Sequence, residues 1–228
     1  IWWNHETSLE LYMGDALLSA MSSFVVASAC SRNAVVRDLL RPMFEWRVPW
    51  IWYAVAILLW PFITFSGDML ASVAGLHVPQ APALPHKPLP ALIAVSFAWT
   101  FFFNGPVLEE AGWRGFALPR LQEKFSPLVS GVIIGFFWAV FHSVYLIIDG
   151  KWMMCWTRLG DIALSIVFTW LYNKTKGKSL LPVLLMHASF NSVNDFLPRA
   201  KLAVYVLLAI VTIAMIVSDR MWEKKGVL

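Results

Sequence analysis

Three apolar stretches of this chain run for twenty residues or more without a formal charge, 48–67, 88–108 and 126–148, and 202–217 adds a run of sixteen. A bilayer core of ~30 Å needs roughly 20 apolar residues in helical form. Inside it a backbone must satisfy its own polar groups, so such runs fold as helices or not at all. Shorter or interrupted apolar stretches at 11–30, at 159–173 and from Ser179 to an outer end at Asn194 and Asp195 complete the pattern. The expected class is therefore all-α: a polytopic membrane helical bundle of about seven transmembrane helices in one domain, 1–228.

Composition agrees and removes other classes. The chain is 59% hydrophobic and 14% charged, where soluble domains are nearer one half and one quarter; its mean hydropathy is +0.64. A net charge of +4 could suggest a nucleic-acid ligand. The basic residues sit in short loops between apolar runs, however, and form no face or tail, so no nucleic-acid partner is expected. With the N-terminus outside and seven crossings, only five of the eighteen basic residues fall outside: Lys87, Lys151, Arg158, Arg199 and Lys201. That bias obeys the positive-inside rule and puts the turn at 124–126 on the cytoplasmic side. The two cysteines, Cys30 and Cys155, then lie near opposite faces, and no disulfide is expected. The first residue is Ile1, which reads as a trimmed N-terminus.

Local punctuation sets the boundaries. Pro79, Pro82, Pro85, Pro88 and Pro90 mark an extended connection with His77 and His86 as solvated loop residues. Asn104-Gly105-Pro106 predicts a kink or restart, because proline removes a backbone donor and clashes with the preceding turn. Ser126-Pro127 reads as an N-cap followed by proline at the first helical position. Asp161 opens a helix, where its charge suits the N-terminal dipole, and Asp15 and Asp68 read as near-interface charges.

Ionisable residues within apolar segments are costly and by default mark function. Glu109, Glu110 and Arg114 end the third of the seven apolar segments, His142 lies in the fourth, and His187 with Asn191 in the sixth. About the turn at 124–126, Glu109 and His142 stand at similar heights on neighbouring helices, some 25 Å up at ~1.5 Å per residue. His187 is nominally about 12 Å shallower on the same rise. A carboxylate withdrawn from bulk water is a competent proton acceptor. Arg114, four residues beyond Glu110, can offset the repulsion between the paired glutamates. His142 can hold the same water directly or through a metal, and His187 and Asn191 share a helix face that can stabilise an oxyanion. Alternatively Glu109, His142 and His187 are three ligands of a divalent metal such as zinc, with a fourth position open.

The pattern Glu-Glu-x-x-x-Arg (Glu109, Glu110, Arg114), aromatic-x-x-x-His (Trp138, His142) and His-x-x-x-Asn (His187, Asn191) resembles the CPBP intramembrane proteases. These include the type II CAAX prenyl proteases and proteins of bacteriocin processing and immunity. Gly115-Phe116, Pro119-Arg120-Leu121 and Pro182 also match, and the motif-bearing core spans about 90–196. The resemblance implies an intramembrane peptidase in which Glu109 and His142 activate water while His187 and Asn191 stabilise the tetrahedral intermediate. Its mechanism is either metal-dependent or glutamate-dependent without metal. It implies a peptide or protein substrate, either prenylated or a leader peptide, and an active site toward the cytoplasm, in the inner membrane if the source is bacterial. Trp138 departs from the Phe of prenyl-protease members and would reshape the pocket. A transporter, or a non-catalytic immunity or assembly factor on the same scaffold, is the alternative; the chain lacks the internal repeat that the transporter reading requires.

Overall fold

The computed structural model describes residues 41–80, 88–103, 105–148, 150–193, 196–197 and 200–224. The expected span at 11–30, with Asp15, Cys30, Arg32 and Arg37, lies outside the described residues, as do Pro82, Pro85, His86, Lys87, Asn104, Asp149, Asn194, Asp195, Pro198, Arg199 and Lys225.

Among the described residues there are eight α-helices. They are α1 (Trp50–Val73), α2 (Leu89–Phe103), α3 (Pro106–Glu110), α4 (Leu118–Lys124), α5 (Pro127–Ile148), α6 (Leu159–Lys174), α7 (Leu181–Val193) and α8 (Lys201–Ser218). Helices α1, α5 and α8 are long and apolar enough to cross a membrane, and α2 and α7 are shorter apolar helices. Their outward faces are greasy: on α8 Leu202, Val206, Ile210, Ile213 and Val217 are all exposed. An exposed apolar face this long does not belong in water and marks an integral membrane protein.

The expected boundaries fall within a residue or two of those observed for α5, α6 and α8. Ser126 Oγ accepts from the Val129 amide at 3.3 Å, the N-cap bond that frees Pro127 to begin α5. The chain restarts at Pro106 as expected, and Gly105 makes the corner with φ of +94°. The segment between α5 and α6, expected as a loop, is a 3₁₀ helix at Trp152–Arg158 with no buried residue. Its exposed Trp152 and Trp156 suit a membrane–water boundary.

Glycine decides how closely the central helices approach. Helix α5 lies along α6, and Gly131 and Gly135, one turn apart, face it. A Cβ on Gly135 would sit 2.7 Å from the Ile162 Cα, and one on Gly131 3.3 Å from the Ile166 Cα. Small residues four apart allow such backbone contact between membrane helices, where association rests on packing. Gly67 does the same for α1 against Val204 of α8. Asp68, expected near an interface, accepts from the Ala200 amide at 2.6 Å and so ties the residue before α8 to α1. Helix α7, which carries His187, packs on α1, α2, α3 and α6 and is enclosed by them.

The irregular piece is Ala111–Ala117, which joins α3 to α4 with π-helical geometry. Pro119 explains it. Proline has no N–H to give, and its ring falls against the carbonyl four residues back, at Gly115. A local switch to wider turns avoids both problems, and such turns recur at functional sites. The run from Pro106 to Lys124 is thereby one bent rod carrying both glutamates and Arg114.

Candidate active site

Arg114 is the buried centre of the polar cluster. Its guanidinium has no exposed surface, donates through Nη1 to Glu110 Oε1 at 2.9 Å and through Nη2 to Ser165 Oγ at 3.0 Å. Ser165 passes its own hydrogen to the Gly131 carbonyl at 2.8 Å. The Arg114 Cζ stands 5.3 Å from the Trp138 ring centroid and 5.0 Å from that of Phe168, within cation–π range of both. A buried cation without such partners would be strongly unfavourable. Three elements therefore meet on one side chain, which fixes the bent rod against α5 and α6.

Glu110, completely buried, does two things with one oxygen. Besides Arg114, Oε1 accepts from His187 Nδ1 at 2.8 Å. The second glutamate is thus more than the ion-pair partner expected from its spacing: it orients the imidazole on α7. His187 in turn lies edge-on to Trp138, with ring centroids 5.4 Å apart, and 5.5 Å from Phe168.

Glu109 points to α5. Its Oε2 accepts the Trp138 indole N–H at 2.9 Å. Its other oxygen lies against Gly105, where a Cβ would collide with it. His142, one turn beyond Trp138, is held by its Nδ1 on the Trp138 carbonyl at 2.9 Å. A carbonyl only accepts, so Nδ1 carries the hydrogen. The Glu110 carboxylate likewise takes the Nδ1 hydrogen of His187. In the neutral form of each ring, Nε2 is left with its lone pair free for chemistry.

These contacts refine the expected depths. Glu109 meets α5 at Trp138, four residues closer to the turn at 124–126 than His142, because the wide turns between Glu109 and Lys124 shift its register. His187 also meets α5 at Trp138. The lower meeting point removes ~6 Å, about half the mismatch expected for His187. Asn191 is half-buried one turn beyond His187 on the same helix. Asp161 opens α6 as expected but is buried, with Arg158 3.8 Å away.

Sequence reasoning missed Ser165, Phe168 and Gly105. The first two had a signal: Asp161, Ser165 and Phe168 recur at i, i+4 and i+7 and so share one face of α6. Gly105 had only the corner it makes. Trp138, expected as a pocket wall, is 3% exposed and lies beneath the polar groups.

The donor types of Glu109, His142 and His187 suit zinc. Their placement does not: among the described residues no group of three or more His, Cys, Asp or Glu is arranged to hold a metal ion, and Glu109 Oε2 is committed to the indole.

Comparison with known proteins adds two findings. The family model described as type II CAAX prenyl endopeptidase Rce1-like matches residues 90–193, the stretch that contains every side chain of the cluster. CAAX prenyl protease 2 of Methanococcus maripaludis is 22% identical over 241 residues, covering 95% of this chain and 86% of that protein.

Proposed function

The chain belongs to the CPBP intramembrane protease family and is a membrane protease, and from that premise we propose that it hydrolyses a peptide bond of a membrane-bound substrate with water activated by Glu109 and His142. The observation that carries the proposal is the shared hub at Trp138: its indole anchors the Glu109 carboxylate and its carbonyl anchors His142. Both proton-accepting groups are thereby fixed to one turn of α5, with Glu109 Oε1 and His142 Nε2 outside these two bonds.

In this reading a water donates one hydrogen to His142 Nε2 and the other to Glu109 Oε1. Its oxygen attacks the carbonyl carbon of the substrate, and Glu109 takes the proton released as that C–O bond forms. The negative charge moves to the carbonyl oxygen, where Asn191 and His187 provide hydrogen bonds. His187 can donate there only when its ring carries both protons, and the Glu110 carboxylate against Nδ1 is the counter-charge for that form. Collapse of the intermediate breaks the C–N bond, with the Glu109 proton delivered to the departing nitrogen. The products are a carboxylic acid and an amine.

The name of the Methanococcus relative and the matching family model support a prenylated C-terminal peptide as substrate. The test uses the full chain in proteoliposomes with an internally quenched peptide bearing a farnesylated cysteine, beside the same peptide without the lipid. Cleavage of the lipidated peptide alone, reduced about 10²–10⁴-fold in Glu109→Gln, is the expected result. Full turnover by purified Glu109→Gln refutes the mechanism, and equal cleavage of the two peptides refutes the substrate class.

A further inference from the structure

We propose that Trp138 is a positioning residue whose indole N–H, together with a notch at Gly105, clamps the Glu109 carboxylate in one orientation; this rests on the reading of Glu109 as the proton acceptor. A glutamate side chain has three rotatable bonds and loses up to ~2 kcal/mol of rotamer entropy when fixed. A general base that must find its rotamer in each turnover spends little time aimed at the water, so the restraint has to come from neighbours.

Both restraints are visible. The indole Nε1 donates to Oε2 at 2.9 Å. Gly105 leaves open the volume filled by the other oxygen: a Cβ at 105 would collide with Oε1 and come within 3.2 Å of Cδ. Its φ of +94° also disfavours any residue with a side chain. The Glu109 amide donates to the Gly105 carbonyl at 2.8 Å, so backbone and side chain of Glu109 are tied to the same corner. Trp138 is held in turn by Arg114 over its ring, 5.3 Å from the centroid, and by His142 and His187 edge-on at 5.5 and 5.4 Å.

The simpler account is that a buried indole N–H needs an acceptor and Glu109 supplies one. The rest of the bundle argues against it. Among the described residues the Trp60 and Trp170 indole nitrogens are buried without a hydrogen-bond partner, so burial of an indole does not by itself bring a carboxylate to it. What distinguishes Trp138 is the carboxylate it reaches. A phenylalanine at 138 would fill part of the space and leave Oε2 without the indole N–H.

The test replaces Trp138 with benzothienylalanine, which keeps the bicyclic shape and lacks the N–H, beside Trp138→Phe. The clamp predicts a fall in kcat of about tenfold or more with KM within about twofold for both, since misaimed groups can cost up to ~10²-fold. A role in packing alone predicts a benzothienylalanine enzyme with wild-type kcat, and that result overturns the proposal. A second measurement needs no turnover. In ¹⁵N-tryptophan protein the Trp138 indole N–H resonance, assigned by its loss in Trp138→Phe, should move upfield in Glu109→Gln as its acceptor loses charge. An unmoved resonance also overturns the clamp. Full turnover by Glu109→Gln would instead defeat the hydrolytic reading, a result separable from both.

Discussion

Glu110 Oε1 accepts two hydrogen bonds, from His187 Nδ1 at 2.8 Å and from Arg114 Nη1 at 2.9 Å, and so joins a helix at one end of the motif-bearing sequence to the bent rod at the other. One carboxylate oxygen neutralises the buried guanidinium and sets the tautomer of the imidazole. Partners of this kind orient functional histidines and are expensive to lose.

Glu110→Gln should therefore lower kcat/KM by about 10–100-fold with the fold retained. The amide oxygen can still accept from one donor but carries no charge. Glu110→Ala should go further and destabilise by about 3–5 kcal/mol, because Arg114 is left as an uncompensated buried charge. Thermal unfolding in detergent beside peptide cleavage separates the two effects. A Glu110→Ala protein as stable as wild type would remove Arg114 from its central place.

Gly135→Ala should be worse than Gly131→Ala. The added methyl meets the Ile162 Cα at 2.7 Å and the Ser165 Cβ at 2.9 Å in the first case, and nothing closer than 3.2 Å in the second. Backbone cannot move aside as a flexible side chain can, so Gly135→Ala is expected to cost about 1–3 kcal/mol and to loosen the Ser165–Arg114 bond beside it. Denaturation midpoints of the two variants give the order directly; equal stabilities would contradict the close packing of α5 on α6.

Chelation should leave activity intact. Among the described residues Glu109, His142 and His187 do not converge as a three-ligand set. Dialysis against a strong chelator followed by elemental analysis and assay checks this. Loss of turnover restored by zinc at one equivalent would require the histidines and Glu109 to rearrange around the ion.

Ser126→Cys should react with a membrane-impermeant maleimide only from the cytoplasmic side. The turn it occupies follows Lys124 and Arg120, and short loops rich in Lys and Arg stay on that side. Labelling of sealed vesicles of each orientation decides it, and modification from the outer face would invert the proposed placement of the active site.

The sequence by itself determined the helical class, the boundaries of α5, α6 and α8, and the identities of Glu109, Glu110, Arg114, His142 and His187 as the ionisable groups of the polar cluster. It could do so because hydrocarbon penalises charge so heavily that each ionisable residue in an apolar run is conspicuous. The Glu110–Arg114 pair was readable for a second reason: four-residue spacing places two side chains side by side within one helix.

Only the tertiary structure decided which partner each group takes. Glu110 reaches His187 across 77 residues of sequence, Glu109 reaches Trp138 across 29, and Ser165 receives Arg114 because two glycines let α6 come close enough. Such contacts depend on helix rotation and on the register shift introduced by the wide turns before Pro119. A hydrophobic pattern at helical spacing leaves rotation uncertain by a residue or so, and one residue turns a side chain by about 100°. That angle is the difference between a carboxylate aimed at an indole and one aimed at lipid.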